Sequence, residues 1–414
     1  MGRPGCRIRN QGQEKSHAVS FLLQNLRWLN GPALFRGDLR IANGKILATG
    51  AHLVPQKKET VIAFDNHFLY PGLINAHDHL EMNLYPNLGH PPYGNFTEWA
   101  KEIYQPTESP VREIEALPLK DRLLWGGVKN LIAGVTTVIH HNPFHGSLKS
   151  SGFPVKVLSS YAWAHSLEFE KTVKQKFPKF SKKPFMIHAA EGTDDFAHRE
   201  IQRLAELGVL KANTVLIHAI GLTEKARQDI QSAGASVVWC PSSNLFMFGR
   251  TAEISAIKTR IKVALGSDST MTGKATFFEE MQAALRTGQV TAQEIVDRVT
   301  RVPEQIFRLP VRRLEPGGIA DLLILPANRE DYAENLVMQD SENTTAVFVN
   351  GEFRFGDRVY AQLFNLQESS IRVGQQTKWI SVDIKSLMTR LSANTGGVFF
   401  SKNPLWDLLK HTLP

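Results

Sequence analysis

The hydrophobic pattern changes character twice along the chain. Between Phe21 and Ala63, short apolar pieces (Leu22–Leu29, Asp38–Ile41, Lys45–Ala48) are broken by turn residues. Asn43-Gly44 between two of them is a strong hairpin signal, because both central positions of such a turn need positive φ. From about Leu69 to Phe307, short apolar runs alternate with helix-like segments. Strands are expected at Phe68–Ala76, Val135–His140, Val155–Trp163, Phe185–Ala189, Thr214–Ile220, Ala235–Cys240 and Ile261–Leu265. Helices are expected at Asp195–Leu207, stopped by Gly208, and at Thr223–Ser232, stopped by Gly234. Another opens at the capping box Thr291-Ala-Gln-Glu294. Such alternation means a parallel sheet with crossover helices. From Gly317 to Phe364 the short strands return, with Asn350-Gly351 as a second hairpin turn. The expected organisation is an α/β barrel over residues 69–309 and one small β-sandwich built from 18–68 and 310–364. Residues 1–17 are expected to be disordered. Residues 365–414 form an extension with two short helices, Asp383–Leu391 and Leu405–Thr412, whose role the pattern does not reveal.

Composition narrows the function classes. At 414 residues and 42% hydrophobic, the chain can bury a barrel core of roughly 250 residues and a smaller domain besides. Lys and Arg outnumber Asp and Glu by 48 to 40, a net +8 that is too small a bias to indicate nucleic acid. Its densest stretch, Lys171 to Lys183, reads as a solvated face. No run approaches the ~20 apolar residues of a membrane span, and the N-terminus lacks the apolar segment of a secretory signal. Two cysteines, Cys6 and Cys240, make no disulfide framework, so a reducing cytoplasm is the expected compartment. The expected partner is a small-molecule substrate, with neither nucleic acid nor membrane; a homodimer is left open.

The chemistry lies at the strand ends. His77 and His79 close the first barrel strand, and side chains two apart on a strand share a face. Converging neutral imidazoles suit Zn²⁺, Fe²⁺ or Ni²⁺. Later strands end in His188, with Glu191 three residues on, in His218, in Cys240-Pro-Ser-Ser243-Asn244, and in Asp268. These are the ends at which β/α barrels carry their chemistry. Burying so many imidazoles and carboxylates without partners is costly, and a bound metal accounts for them together.

The combination Pro71-Gly-Leu-Ile-Asn-Ala-His77-Asp-His79, His188-x-x-Glu191, His218, Cys240-Pro-x-Ser243-Asn244 and Gly266-Ser-Asp268 resembles the amidohydrolase superfamily. Within it, the pattern is most similar to the branch of cytosine, guanine and S-adenosylhomocysteine deaminases and triazine chlorohydrolases. Gly134-Val-Thr-Thr137, Phe277–Ala284 and Leu314 to Leu323 extend the likeness to roughly residues 20–360. The resemblance implies a (β/α)8-type, TIM-like metallo-barrel and one divalent metal, Zn²⁺ or Fe²⁺, held by His77, His79, His188 and Asp268. It implies Glu191 as proton shuttle, His218 as hydrogen-bonding partner of the activated water, and Asp268 as an orienting group. The implied reaction is hydrolysis of a carbon–nitrogen bond other than a peptide, foremost deamination of a heterocyclic amine. Alternatives are amide or C–Cl hydrolysis of another small molecule, or an inactive scaffold. A dinuclear site is disfavoured, because the lysine of the middle strand, Lys156, stands at its wrong end.

Two departures stand out. Seven strand candidates are countable where the family has eight, so the barrel's middle is expected to be shortened, near 163–185. The segment Ser269-Thr-Met-Thr-Gly-Lys274 does not identify a substrate pocket. Weaker candidates for substrate contact are His140, Trp99 in the aromatic-rich Tyr85–Tyr104 segment, and Asn244. His140, His141 and His165 can line a pocket or serve local polar roles. Ser243 and Asn244 read better as turn-fixing groups, and Cys240 as a small core residue.

Overall fold

The computed structural model describes residues 20–395 and 403–409; the stretch 1–17 lies outside them. Eight short parallel strands form the barrel: β1 (Leu73–Asp78), β2 (Val135–His140), β3 (Lys156–Val157), β4 (Ala162–Trp163), β5 (Phe185–Ala189), β6 (Thr214–His218), β7 (Ser236–Trp239) and β8 (Val263–Leu265). They hydrogen-bond as two sheets, β1–β2–β3 and β4 through β8.

The run Val155–Trp163, read as one strand, is two strands of two residues each. No helix separates them. The shortened unit is therefore the third β/α crossover, at residues 158–161, while β4 and β5 keep a short helix, Val173–Lys176, between them. Only Ser159-Ser160 marks the break, and neither Gly nor Pro punctuates it.

The seam between β8 and β1 carries no ladder. The backbone N–H groups of Ser267 and Asp268 instead donate to the His77 carbonyl at 3.0 and 3.1 Å. Gly266 makes this approach possible, since a Cβ there would fall 2.7 Å from the Cβ of His77.

Ten strands from both chain ends form a third, continuous sheet beside the barrel. Its halves join where His67–Pro71 pairs antiparallel with Leu322–Pro326. Both expected hairpin turns are present, with positive φ at Asn43, Gly44, Asn350 and Gly351. The sheet encloses an apolar cluster that includes Phe21, Leu23, Trp28, Ile41, Phe348 and Phe353.

The C-terminal extension adds the strands Ile371–Val373 and Gln376–Ile380 to this sheet. Its helix Ile384–Thr395 sends Leu387, Met388 and Leu391 into the barrel's outer core. Arg390 grips Asp121 with two hydrogen bonds, 2.8 and 3.1 Å. Asn403, fully buried, donates to the carbonyls of Asn83 and Tyr85, each at 3.0 Å. The extension thus buttresses the loop that follows β1. No helix among the described residues is long and apolar enough to cross a membrane.

Candidate active site

The C-terminal ends of β1, β5, β6 and β8 converge. His79 Nε2 and His188 Nε2 stand 3.3 Å apart. Asp268 Oδ1 lies 3.7 Å from His77 Nε2 and 3.8 Å from His79 Nε2. Glu191 Oε1 lies 3.5 Å from His218 Nε2. All six side chains are buried.

Neighbouring groups set the tautomers. His188 Nδ1 donates to the His165 carbonyl at 2.8 Å, which leaves Nε2 with its lone pair. His218 Nδ1 is held by Asn244 Oδ1 at 2.9 Å, so its Nε2 is likewise bare. Both ring nitrogens of His77 and Nδ1 of His79 are buried without a hydrogen-bond partner. Each such orphan costs about 1–3 kcal/mol. Burial, reinforced by mutual repulsion, holds His79 and His188 well below the usual imidazole range, so both are neutral with lone pairs available. Neutral imidazoles, orphaned nitrogens and one carboxylate fit a divalent metal.

Asp268 is fixed from several directions. Ser243 Oγ and Thr272 Oγ1 donate to its Oδ2 at 2.8 and 2.9 Å, and the Ser269 N–H donates to Oδ1 at 2.9 Å. Burial disfavours its charge, but the close approach of the His77, His79 and His218 rings favours the ionised form and holds it well below the usual carboxylate range. Glu191 goes the other way. Burial first, then repulsion from Asp268 and Glu200, raises it well above that range.

The turns that deliver these groups are strained. Ala190, His218, Ala219 and Asp268 have φ of 52°, 72°, 54° and 54°, where non-glycine residues cost of order 1–3 kcal/mol each. Glu200 offsets part of this by accepting the Ala190 N–H at 2.7 Å.

A cavity of about 560 Å³ opens over the cluster. His79, His188, Glu191, His218 and Asp268 contribute to its wall, whose apolar members include Tyr85, Leu88, Phe96, Trp99, Met247 and Met271. Glu81, Glu115, Arg122 and Lys101 are its charged members away from the cluster. Of the weaker substrate candidates, Trp99 lines this cavity, its Nε1 tied to the Leu88 carbonyl at 2.9 Å. His140 and Asn244 are not on the wall: His140 Nε2 stands 3.8 Å from Glu81 Oε2, and Asn244 sits behind His218. Ser243 and Asn244 do not fix a turn: both lie in the helix Pro241–Phe248, and each orients a side chain of the cluster.

A model of the amidohydrolase family matches residues 160–354. The matched stretch is an amidohydrolase family domain. By sequence it is similar to the 5-methylthioadenosine/S-adenosylhomocysteine deaminase of Pyrococcus furiosus, 24% identical over 386 residues that cover 77% of this chain and 90% of that protein. The 5'-deoxyadenosine deaminase of Methanothrix thermoacetophila is 23% identical over 386 residues, covering 80% and 92%. Among solved structures, a zinc-bound adenosine deaminase from Xanthomonas campestris superposes with a TM-score of 0.72 at 15% identity, over 92% of this chain and 98% of that one. The zinc complex of an atrazine chlorohydrolase from Arthrobacter aurescens gives 0.68 at 15%, over 91% and 100%. These structural likenesses establish a shared fold.

The barrel holds a buried ion pair for which the sequence offered little signal. Lys129, on the helix Leu119–Ile132, is 1% exposed. Its Nζ reaches Asn83 Oδ1 at 2.7 Å, Ser267 Oγ and the Asp268 carbonyl at 3.3 Å, and Asp78 Oδ2 at 3.4 Å. Asp78 also accepts from Asn83, Asn130, Asn75 and Ser267. The network ties the His77–His79 strand end to the Asp268 loop from beneath. A lysine amid Val128, Leu131 and Ile132 was the available signal. Removing one partner of a buried pair typically costs about 3–5 kcal/mol. Lys129→Met should lower stability by that order in chemical denaturation, and Lys129→Met/Asp78→Asn should recover part of it. A Lys129→Met midpoint equal to the wild type's would show that the other donors to Asp78 suffice without the lysine.

Proposed function

We propose that this amidohydrolase deaminates an adenine nucleoside or a closely related heterocyclic amine in the cytoplasm. In this reading one divalent ion, Zn²⁺ or Fe²⁺, is held by His77, His79, His188 and Asp268. Such an ion supplies Lewis acidity and lowers the pKa of water toward ~7. Glu191 takes the proton of the attacking water and delivers it to the departing amine, which leaves as ammonia while the ring carbon gains oxygen. Its raised pKa suits a group that must accept and return a proton near neutrality. His218, its Nδ1 proton committed to Asn244, presents a bare Nε2 that accepts a hydrogen bond from that water. Asp268, immobilised by Ser243 and Thr272, fixes the direction of attack.

The observation that carries this reading is the convergence of His79, His188, Asp268, Glu191 and His218 on one largely apolar cavity. Its aromatic and methionine walls suit a purine with an apolar 5' substituent, and the relatives named as deaminases act on adenosine derivatives. An inactive scaffold is disfavoured, since no member of the expected ligand set is missing.

A panel of 5'-methylthioadenosine, S-adenosylhomocysteine, 5'-deoxyadenosine, adenosine, guanine and chlorotriazines tests it, with ammonia and chloride both measured. Ammonia from an adenine nucleoside is expected, with the product's absorbance changed to that of a hypoxanthine. Chloride from a triazine without ammonia from any nucleoside would replace this reading with the chlorohydrolase alternative.

A further inference from the structure

Two imidazoles of the cluster lie below the reach of the cavity. His77 and His141 are 0% exposed, and neither belongs to the cavity wall. His141 follows β2, and its backbone N–H bonds the Asp78 carbonyl at 3.1 Å, which pins it beside the His77–His79 segment. Its ring packs against Trp163 and three other imidazoles. The centroids lie 4.4 Å from His188 at an interplanar angle of 17°, 5.6 Å from His79 at 12°, and 5.1 Å from His77 at 75°.

The His141 tautomer follows from its surroundings. Nε2 stands 3.1 Å from the Ala164 carbonyl, and a carbonyl only accepts, so Nε2 carries the proton and Nδ1 the lone pair. That Nδ1 is buried without any partner. Substrate cannot satisfy it, because the residue is not on the wall. A bound cation would satisfy it. One ring nitrogen of His141 lies within 4.8 Å of a ring nitrogen of each of His77, His79 and His188.

We propose that His141 is itself a metal ligand, so that a fourth imidazole joins His77, His79 and His188 at the centre; Asp268 groups with His77 and His218. This rests on the metal-centre reading above and adds a donor from the end of β2. Another neutral nitrogen biases the site toward the late first-row ions that imidazole favours.

The test uses the full chain, stripped of metal and reloaded with Co²⁺ alone, as wild type, His141→Ala and His141→Cys. Loss of a group that merely orients a ligand typically weakens metal affinity ~10–100-fold. His141→Ala should exceed ~100-fold and alter the Co²⁺ d–d bands. His141→Cys should bind Co²⁺ with a thiolate-to-cobalt charge-transfer band, which requires direct bonding. If the alanine variant does not fold, the cysteine variant's spectrum decides. Loss within ~100-fold with unchanged d–d bands makes His141 a positioning residue and overturns the proposal. Cobalt bound by His141→Cys without the charge-transfer band overturns it too. A wild type that takes up no Co²⁺ overturns the metal-centre reading itself, whereas a failure confined to the His141 variants leaves that reading standing.

Discussion

Glu191→Gln is expected to keep its metal and lose about 10²–10⁴-fold in kcat, the usual contribution of a positioned general acid–base. Glutamine matches glutamate in size, so the turn after β5 keeps its packing and the Ala190–Glu200 hydrogen bond. What disappears is the carboxyl that can accept a proton from the attacking water and return it to the leaving nitrogen. Glu191 is not in the proposed ligand set, so metal content should match the wild type's. KM should change little, because the apolar cavity walls are untouched. Measuring kcat, KM and metal content on one preparation separates the proton role from metal binding. A metal-replete Glu191→Gln that turns over normally would move the shuttle to His218 or Asp268.

Much of this site was legible because its residues terminate strands whose apolar runs are plain. His77, His79, His188, His218 and Asp268 each follow such a run, and strand ends in a β/α barrel converge whatever the chain between them does. The hairpin turns at Asn43-Gly44 and Asn350-Gly351 were readable for a local reason, since each dipeptide supplies the positive φ its turn needs. Contacts set by tertiary packing were not legible. Nothing in Val155–Trp163 shows that the run breaks into two strands, because the break is made by two serines and not by Gly or Pro. Ser243 on Asp268, Asn244 on His218 and Lys129 under Asp78 depend on which strand ends face each other. His141 was visible as a residue, but its stacking on His188 and His79 depends on how β2 sits beside β1 and β5. The extension past residue 365 gave helices without a destination. Asn403 and Arg390 find theirs on the loop after β1 and on Asp121.

His77→Ala is expected to abolish metal binding and activity together. The ring makes no hydrogen bond in the protein, at either nitrogen, and its donor atoms lie within 4.8 Å of those of His79 and His188, and of Asp268 and His218. Removing it takes away a ligand central to both groups. The fold should survive, because the barrel's inner core is carried by Ile74, Ile139, Met186, Ile217, Val238 and Ala264. The variant should therefore keep the wild-type circular dichroism spectrum and, when both are held metal-free, a similar denaturation midpoint. Activity surviving in His77→Ala without metal would contradict the ligand assignment.

Elemental analysis of the wild-type protein, purified without chelator and compared with His77→Ala, bears most directly on the metal-centre claim. One equivalent of a divalent transition metal per wild-type chain is expected, with zinc or iron dominant, and none in His77→Ala. A wild type carrying no metal, or two equivalents, would contradict it.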